Sequence, residues 1–196
     1  MKGPHDESLS LVLVGGSSGS FVIFEEILKL LTNPISFAII FVLHRGKSSS
    51  SILPELFKSK TNVFMSEPHH LDQIMANSIY FAFPNYHLLV GNDQRFYYDV
   101  SEPDFFSRPS INATFASAAH SGIPVKAAML FSGSSPDGAD AMQLLAEMGV
   151  PTYVQDPAFA EFPRMPQEAL LKYQNHTLLK QQNFYTAISE ILYRIT

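Results

Sequence analysis

Three apolar runs of strand length set the strongest limit on what this chain can fold into. They span residues 9–15 (LSLVLVG), 36–44 (SFAIIFVLH) and 125–133 (VKAAMLFSG). A strand with one wet face alternates apolar and polar residues, whereas a strand covered on both faces is apolar throughout, as in parallel sheets. Segments of helical periodicity follow these runs, and such alternation is typical of α/β proteins. We therefore predict a Rossmann-like, three-layer α/β fold: a doubly wound, mostly parallel sheet with helices on both faces and a small β-hairpin.

The remaining periodic segments are six helices and five shorter strands. Two of the short strands flank the turn that begins at Gly91 and form the predicted hairpin. The predicted helices cover 21–33, 50–60, 111–122, 136–149, 164–173 and 181–195, and the predicted short strands cover 62–67, 78–84, 86–91, 95–100 and 151–156.

Composition narrows the classes of function. The length of 196 residues fits one globular domain, 1–196. A net charge of −5 without a Lys/Arg cluster argues against a nucleic-acid partner. The longest apolar run, 37–43, is too short to cross a bilayer, and the polar N-terminus lacks the apolar segment of a signal peptide. We therefore expect a cytoplasmic protein without membrane insertion.

The sequence gives no support for thiol chemistry and little for a metal site. The chain has no cysteine, which excludes disulfides, thiolate metal ligands and a cysteine nucleophile. His69, His70 and Asp72 lie in one polar segment without the helical His-x-x-x-His spacing of a zinc site. We expect these three to be solvated loop residues.

The stretch GGSSGS (15–20) follows the first strand and allows three interpretations. A phosphate-binding loop would need Gly-Lys-Ser/Thr or G-x-G-x-x-G, and neither pattern is present. A helix cap is possible, with Ser17 or Ser18 capping a helix that begins near Gly19. Residues 15–19 also match G-x-S-x-G, the turn that presents a nucleophilic serine, here Ser17.

A serine nucleophile needs a base and usually an orienting carboxylate. His44 ends the second run, just past its apolar residues, and Asp137 follows the third run in the loop SGSSPDGAD. Alone, each has an ordinary explanation: His44 as a loop histidine, Asp137 as an acid in the first turn of a helix. Because the carboxyl ends of parallel strands meet at one edge, Ser17, His44 and Asp137 together predict a triad. A triad using His176 instead would follow the α/β-hydrolase order, but His176 lies between two predicted helices, and His44 is preferred.

Six blocks in order resemble the catalytic domain of CheB-type chemotaxis methylesterases, from about residue 11 to 195. GGSSGS (15–20) is similar to the family's G-A-S-T-G-G turn, and VLHRG (42–46) to its strand ending in Q-H-M. LFSGSSPDGADAM (130–142) is similar to the family's L-T-G-M-G-x-D-G-A-x-G-M. The blocks are GGSSGS (15–20), VLHRG (42–46), FPNYHLLV (83–90), RPSINATFASAA (108–119), LFSGSSPDGADAM (130–142) and VQDPAFAEFPRMPQEAL (154–170).

The resemblance implies hydrolysis of glutamate methyl esters on chemoreceptors, with deamidation of some glutamines, and no metal or organic cofactor. It implies Ser17 as nucleophile, His44 as base and Asp137 as the orienting acid. Ser18 and Gly19 would supply oxyanion N–H groups, and Ser134 and Met165 would line the pocket. The implied substrate partner is a methylated chemoreceptor. Family members typically carry a phosphoacceptor receiver domain, which we expect this chain to lack, so a separate receiver domain or another regulator is a further candidate partner.

The sequence departs from the family pattern around the triad. Ser134 and Ser135 replace Met-Gly, Arg164 replaces the Gly of G-M-P, and Asn112 replaces an Asp. These changes keep two alternatives open: a catalytically silent binding or adaptor module in a signalling complex, and an esterase with a small-molecule substrate.

Overall fold

The computed structural model describes residues 9–45 and 53–195. Its main feature is a seven-stranded sheet in which every pair of neighbouring strands is parallel. A separate antiparallel hairpin packs on one face. The sheet strands are β1 (Leu11–Gly16), β2 (Ala38–Leu43), β3 (Phe64–Ser66), β4 (Ser78–Phe81), β7 (Val125–Leu130), β8 (Thr152–Gln155) and β9 (Thr177–Leu179), and the hairpin strands are β5 (His87–Val90) and β6 (Phe96–Asp99).

Six helices are described, and they account for all six predicted helical segments. The last is preceded by one 3-10 turn, Gln181–Asn183, which the sequence pattern placed within the helix. The helices are α1 (Phe21–Leu30), α2 (Leu53–Phe57), α3 (Ile111–His120), α4 (Ala139–Glu147), α5 (Arg164–Lys172) and α6 (Phe184–Ile195). Residues 50–52 of the predicted second helix lie outside the described residues.

The strand order is β3-β4-β2-β1-β7-β8-β9. From β1 the chain adds β2, then the edge strand β3, and then β4 between β2 and β3; β7, β8 and β9 follow in order on the other side of β1. The direction reverses between β1 and β7, and ligands in open α/β sheets bind at such a point, outside the carboxyl ends of the strands. The doubly wound α/β prediction is confirmed, with a main sheet that is parallel throughout its described strands.

Both faces of the sheet are covered, which explains why its central strands are apolar at every position. In β1, Val12 and Val14 point into one core with α1, α2 and α6. Leu11 and Leu13 point into a second core with α3, α4, α5 and the hairpin. All six residues of β1 are buried. Substitution of any residue of β1 by a charged residue would therefore disrupt the core on the face to which that side chain points.

One strand is not predicted by the sequence pattern, in which 174–180 connects two predicted helices. The structure places the edge strand β9 at Thr177–Leu179, paired in parallel with β8. Only Leu179 of its three residues is buried. Three residues with a single buried side chain are too few to show a strand period, so neighbouring β8, rather than the local sequence, determines this strand.

Candidate active site

The turn after β1 presents Ser17 at the carboxyl edge of the sheet. Ser17 N donates to Ser132 O at 2.9 Å, and Ser20 N donates to Ser17 O at 3.1 Å. Helix α1 begins at Phe21 with Ser20 at its N-cap, and Ser20 Oγ donates to Ser17 O at 2.6 Å. The interpretation in which Ser17 or Ser18 caps this helix is therefore wrong, because Ser20 occupies the N-cap position. The half-buried side chain of Ser17 is not used as a cap.

Gly16 permits the tight approach within this turn. A Cβ on Gly16 would lie 2.4 Å from Ser20 Oγ and 2.7 Å from Ser20 Cβ. Gly19 has φ +79°, a left-handed conformation in which glycine carries no steric cost. The N–H groups of Ser18 and Gly19 donate to no backbone carbonyl within residues 9–45 and 53–195. They are the donors available for an oxyanion beside Ser17.

His44 follows β2, the strand next to β1. Its backbone N–H donates to Gly16 O at 3.2 Å, which places His44 beside Ser17. Its ring Nε2 lies 2.7 Å from Asp137 Oδ2. The side chains of His44 and Asp137 are 8% and 0% exposed, so little water competes for this bond. Two of the three predicted triad members are thus directly bonded.

Asp137 is held by the N-terminus of α3. The N–H groups of Ile111 and Asn112 donate to its two carboxylate oxygens at 2.7 and 2.9 Å. Ser110 Oγ lies 3.0 Å from Oδ1. A buried carboxylate needs such donors, and the positive end of the helix dipole favours its negative charge. The alternative explanation of Asp137, as an acid in the first turn of the helix that follows it, is wrong, because α4 begins at Ala139 and the carboxylate faces α3.

The tautomer of His44 follows from these contacts. The ionised Asp137 carboxylate can only accept, so Nε2 carries the proton of the neutral ring. Nδ1 is then the basic nitrogen, and it accepts from Ser107 Oγ at 3.1 Å. In the chymotrypsin-type triad the carboxylate holds Nδ1, whereas here Asp137 holds Nε2 of His44, so the ring has the opposite orientation.

Ser107 was missed by the sequence analysis. It lies in a turn over residues 104–107, in which Ser107 N donates to Asp104 O at 2.8 Å. The two central residues, Phe105 and Phe106, both have positive φ, 45° and 64°. Turns of this kind usually contain Asn or Gly, and this one contains neither. The sequence therefore gave no sign that a turn would carry Ser107 back to His44.

Met165 and Gly133 form the wall next to Ser17. Met165 N donates to Gly133 O at 2.9 Å, and the Met165 side chain is fully buried. A Cβ on Gly133 would lie 2.5 Å from Met165 Cε and 3.0 Å from Ser17 Cβ. Ser134 follows Gly133 and is exposed at the rim. Gly133, which the sequence analysis did not single out, thus allows Met165 and Ser17 to approach each other.

A cavity of about 520 Å³ opens on the other side of the turn, next to Gly19. Its wall includes Gln155, Phe159 and Glu161, with the start of α6 opposite. Glu161 Oε2 lies 3.0 Å from the position that a Gly19 Cβ would take. Arg164 is the exposed first residue of α5. The cavity next to Gly19 therefore has a carboxylate in its wall, and Arg164 directly precedes Met165 in the chain.

The chain beyond His44 is anchored by a buried ion pair. Arg45 Nη2 lies 2.7 Å from Glu67 Oε1 and donates to Ala82 O at 2.8 Å. Tyr98 lies near the Glu67 carboxylate, and its hydroxyl donates to Pro68 O. Burial, followed by the Glu67 charge, raises the pKa of Tyr98 to about 12. Tyr98 is therefore neutral at physiological pH and acts as a hydrogen-bond donor.

His176 is not in this site. It precedes the first residue of β9, at the amino edge of the parallel sheet, whereas Ser17 lies at the carboxyl edge. Its Nδ1 lies 2.7 Å from Thr152 Oγ1, and burial lowers its pKa. The alternative triad with His176 is therefore wrong.

His87 is a buried structural histidine on the α3 side of the site. Its Nδ1 accepts from Ser110 N at 3.1 Å, and its Nε2 lies 3.1 Å from Glu102 O. An acceptor at one nitrogen and a donor at the other define a neutral ring. His87 thereby fixes the backbone of Ser110, which contacts Asp137.

The polar segment at 69–72 forms turn contacts. His69 N donates to Asp72 Oδ2, and His70 Nδ1 accepts from Tyr98 N. Within the described residues, no group of three or more His, Cys, Asp or Glu side chains is arranged to hold a metal ion. No helix in the same part of the chain is long and apolar enough to cross a membrane.

A Gly-Ser turn, a histidine and a buried carboxylate at the ends of three adjacent parallel strands are typical of a serine hydrolase. Residues 12–188 match the family model described as CheB methylesterase. The chain belongs to this family.

Relatives with assigned names agree with the family. A protein of Leptospira interrogans named protein-glutamate methylesterase/protein-glutamine glutaminase is 30% identical over 81% of this chain and 82% of its own length. Proteins of the same name from Nitrosospira multiformis and Hydrogenovibrio crunogenus are each 28% identical over 82% and 86% of this chain. The chain matches only 45% and 46% of their lengths.

A solved structure supports the fold. The CheB methylesterase catalytic domain of Thermotoga maritima superimposes with a TM-score of 0.83, covering 94% of this chain and 99% of that domain. Sequence identity is 19%. The fold is therefore shared far more closely than the sequence.

Proposed function

We propose that this protein hydrolyses methyl esters of glutamate side chains, with Ser17 as nucleophile, His44 as base and Asp137 as the orienting acid. The observation that carries the proposal is the 2.7 Å bond between His44 Nε2 and the fully buried Asp137, at the strand end next to Ser17. The names of the relatives support the reaction class. They also disfavour a silent module or a small-molecule esterase, because those relatives are named as enzymes acting on protein side chains.

The first half-reaction forms an acyl-enzyme. Ser17 Oγ attacks the ester carbonyl carbon while its proton passes to His44 Nδ1. The N–H groups of Ser18 and Gly19 stabilise the oxyanion, each such donor being worth about 10²–10³ in rate in other enzymes. The C–O bond to methoxide then breaks, and the proton on His44 moves to it, which releases methanol.

The second half-reaction restores the enzyme. A water molecule gives its proton to His44 Nδ1 as its oxygen attacks the acyl carbon. The bond to Ser17 breaks, Ser17 recovers the proton, and a glutamate side chain leaves. The same steps on a glutamine side chain release ammonia instead of methanol. No step calls for a metal or an organic cofactor.

The pocket and partners extend the same proposal. Met165 forms the buried wall behind Ser17, and Ser134 lies at the rim where the substrate enters. The protein substrate is a methylated chemoreceptor, and a phosphoacceptor receiver domain is the regulator to test. Both partners rest on the family resemblance.

The test is methanol release from a methylated chemoreceptor fragment. We expect the wild-type chain to release methanol and Ser17→Ala to release none above background. Ser18→Ala is the matched control, because it removes an exposed neighbouring hydroxyl and keeps the backbone N–H. Equal release by wild type and Ser17→Ala would contradict the assignment of the nucleophile. Absence of release by the wild type, with and without a phosphorylated receiver domain, would contradict the function.

A further inference from the structure

The turn over residues 104–107 has an unfavourable backbone for its sequence. Phe105 and Phe106 have φ of 45° and 64°, in the left-handed region. Bulky residues rarely adopt this region, and two in succession are rarer, because Cβ approaches the backbone there. Backbone strain of this kind is retained where the surroundings impose it, and it concentrates at functional sites.

The strain does not serve to bury the two aromatic rings. Phe106 is 101% exposed and Phe105 is 39% exposed. A phenylalanine ring left in water forgoes the stabilisation that burial would give it. The turn therefore presents an apolar side chain to the surroundings, and within the described part of the chain nothing covers Phe106.

One end of the turn contacts His44, and the other end contacts two residues that hold Asp137. Ser107 Oγ contacts His44 Nδ1, as described above. Asp104 Oδ2 lies 3.0 Å from Ser110 Oγ and 3.5 Å from Asn112 Nδ2. The family's usual Asp at position 112 would face the Asp104 carboxylate with a like charge, whereas Asn112 offers an amide donor. The turn is thus held in a fixed position relative to His44, with Phe106 one residue from Ser107.

We propose that Phe106, supported by Phe105, docks the polypeptide that carries the ester, by contacting an apolar side chain of the protein substrate. The proposal rests on the proposed function. A glutamate side chain reaches Ser17 only when its own backbone lies at the rim of the site, and the exposed Phe106 directly precedes Ser107, which contacts His44. The contact would select protein substrates over small esters, because a small ester has no group that extends to Phe106.

The experiment compares a methylated chemoreceptor fragment with p-nitrophenyl acetate. The variants are Phe106→Ala, Phe106→Gly and Phe106→Leu. Tyr193→Ala is the control, because Tyr193 is also an aromatic residue that is highly exposed, 85%, and it lies near the end of α6 on the opposite face of the sheet. The measured quantity is the kcat/KM for the receptor fragment divided by the kcat/KM for the small ester.

We expect this ratio to fall about tenfold in Phe106→Ala, mainly through KM, which is the size typical of one lost aromatic contact. Phe106→Gly relieves the backbone strain and should lower the ratio equally, because the ring is still lost. Phe106→Leu should recover part of it, and Tyr193→Ala should match the wild type.

Several results would overturn the proposal. An unchanged ratio in Phe106→Ala would do so, as would an equal loss on both substrates, which would mean that the turn acts through His44. A change from dimer to monomer in Phe106→Ala by sedimentation would assign the ring to a second copy of the chain. Failure of the wild type on both substrates would instead refute the proposed function, and the two failures are therefore distinguishable.

Discussion

Ser107 Oγ lies 3.1 Å from His44 Nδ1, the ring nitrogen that Asp137 leaves free. Because Nε2 carries the ring proton, the Ser107 hydroxyl donates to Nδ1, the nitrogen that accepts the proton of Ser17 in the proposed mechanism. The proposed general base is therefore already engaged by a second serine in this structure. In the proposed mechanism, Ser17 would become an effective nucleophile only when the hydrogen bond from Ser107 is broken or shared.

Removing this competing hydroxyl should increase activity. A hydrogen bond of this kind contributes about 0.5–1.5 kcal/mol net, so Ser107→Ala should raise kcat/KM by roughly 2- to 10-fold. Steady-state rates of methanol release measure kcat/KM for the wild type and the variant. Ser107→Thr keeps the hydroxyl and should stay near the wild type. A fall in kcat/KM for Ser107→Ala would show that Ser107 orients His44 productively rather than competing for it.

Replacing the charge of Asp137 should damage both activity and stability. In Asp137→Asn, the amide NH₂ would face the N–H of either Ile111 or Asn112. Two hydrogen-bond donors would then face each other where the wild type has a donor and an acceptor. By analogy with other triads kcat should fall about 10³- to 10⁴-fold, and unfolding in urea should show a loss of about 1–3 kcal/mol. Asp140→Asn is the control, because Asp140 forms an exposed ion pair with Lys172. Wild-type kcat in Asp137→Asn would contradict its role.

The sequence was sufficient for most of the fold and for part of the site. Continuous apolar strands such as β1 predict a two-sided parallel sheet, and the end of each strand predicts the edge at which Ser17, His44 and Asp137 lie. Ser107 could not be predicted, because a turn with two phenylalanines at positive φ opposes local preference and is imposed by tertiary contacts. The orientation of the His44 ring could not be predicted from the sequence either, because it depends on the position of Asp137 in space.

Gly133 should tolerate no side chain. In Gly133→Ala the new Cβ would lie within 3.0 Å of Met165 Sδ and Cε and at 3.0 Å from Ser17 Cβ. Overpacking of this kind typically costs about 1–3 kcal/mol, and displacement of Ser17 should also lower kcat. In Gly133→Ala/Met165→Ala, the thioether is removed, so stability should partly recover relative to the sum of the single variants while kcat stays low. Additive losses in urea unfolding would contradict the proposed clash.

His176 should make the protein less stable in acid. Burial lowers its pKa below the usual value near 6.5, so the unfolded chain binds a proton more readily than the folded chain. The free energy of unfolding should therefore fall as pH decreases through about 6.5 and level off below the folded-state pKa. Urea unfolding between pH 8 and pH 5 measures this slope. His176→Gln should flatten it, whereas His120→Gln, at an exposed position on α3, should leave it unchanged. An identical slope in His176→Gln and wild type would show that other groups cause the acid sensitivity.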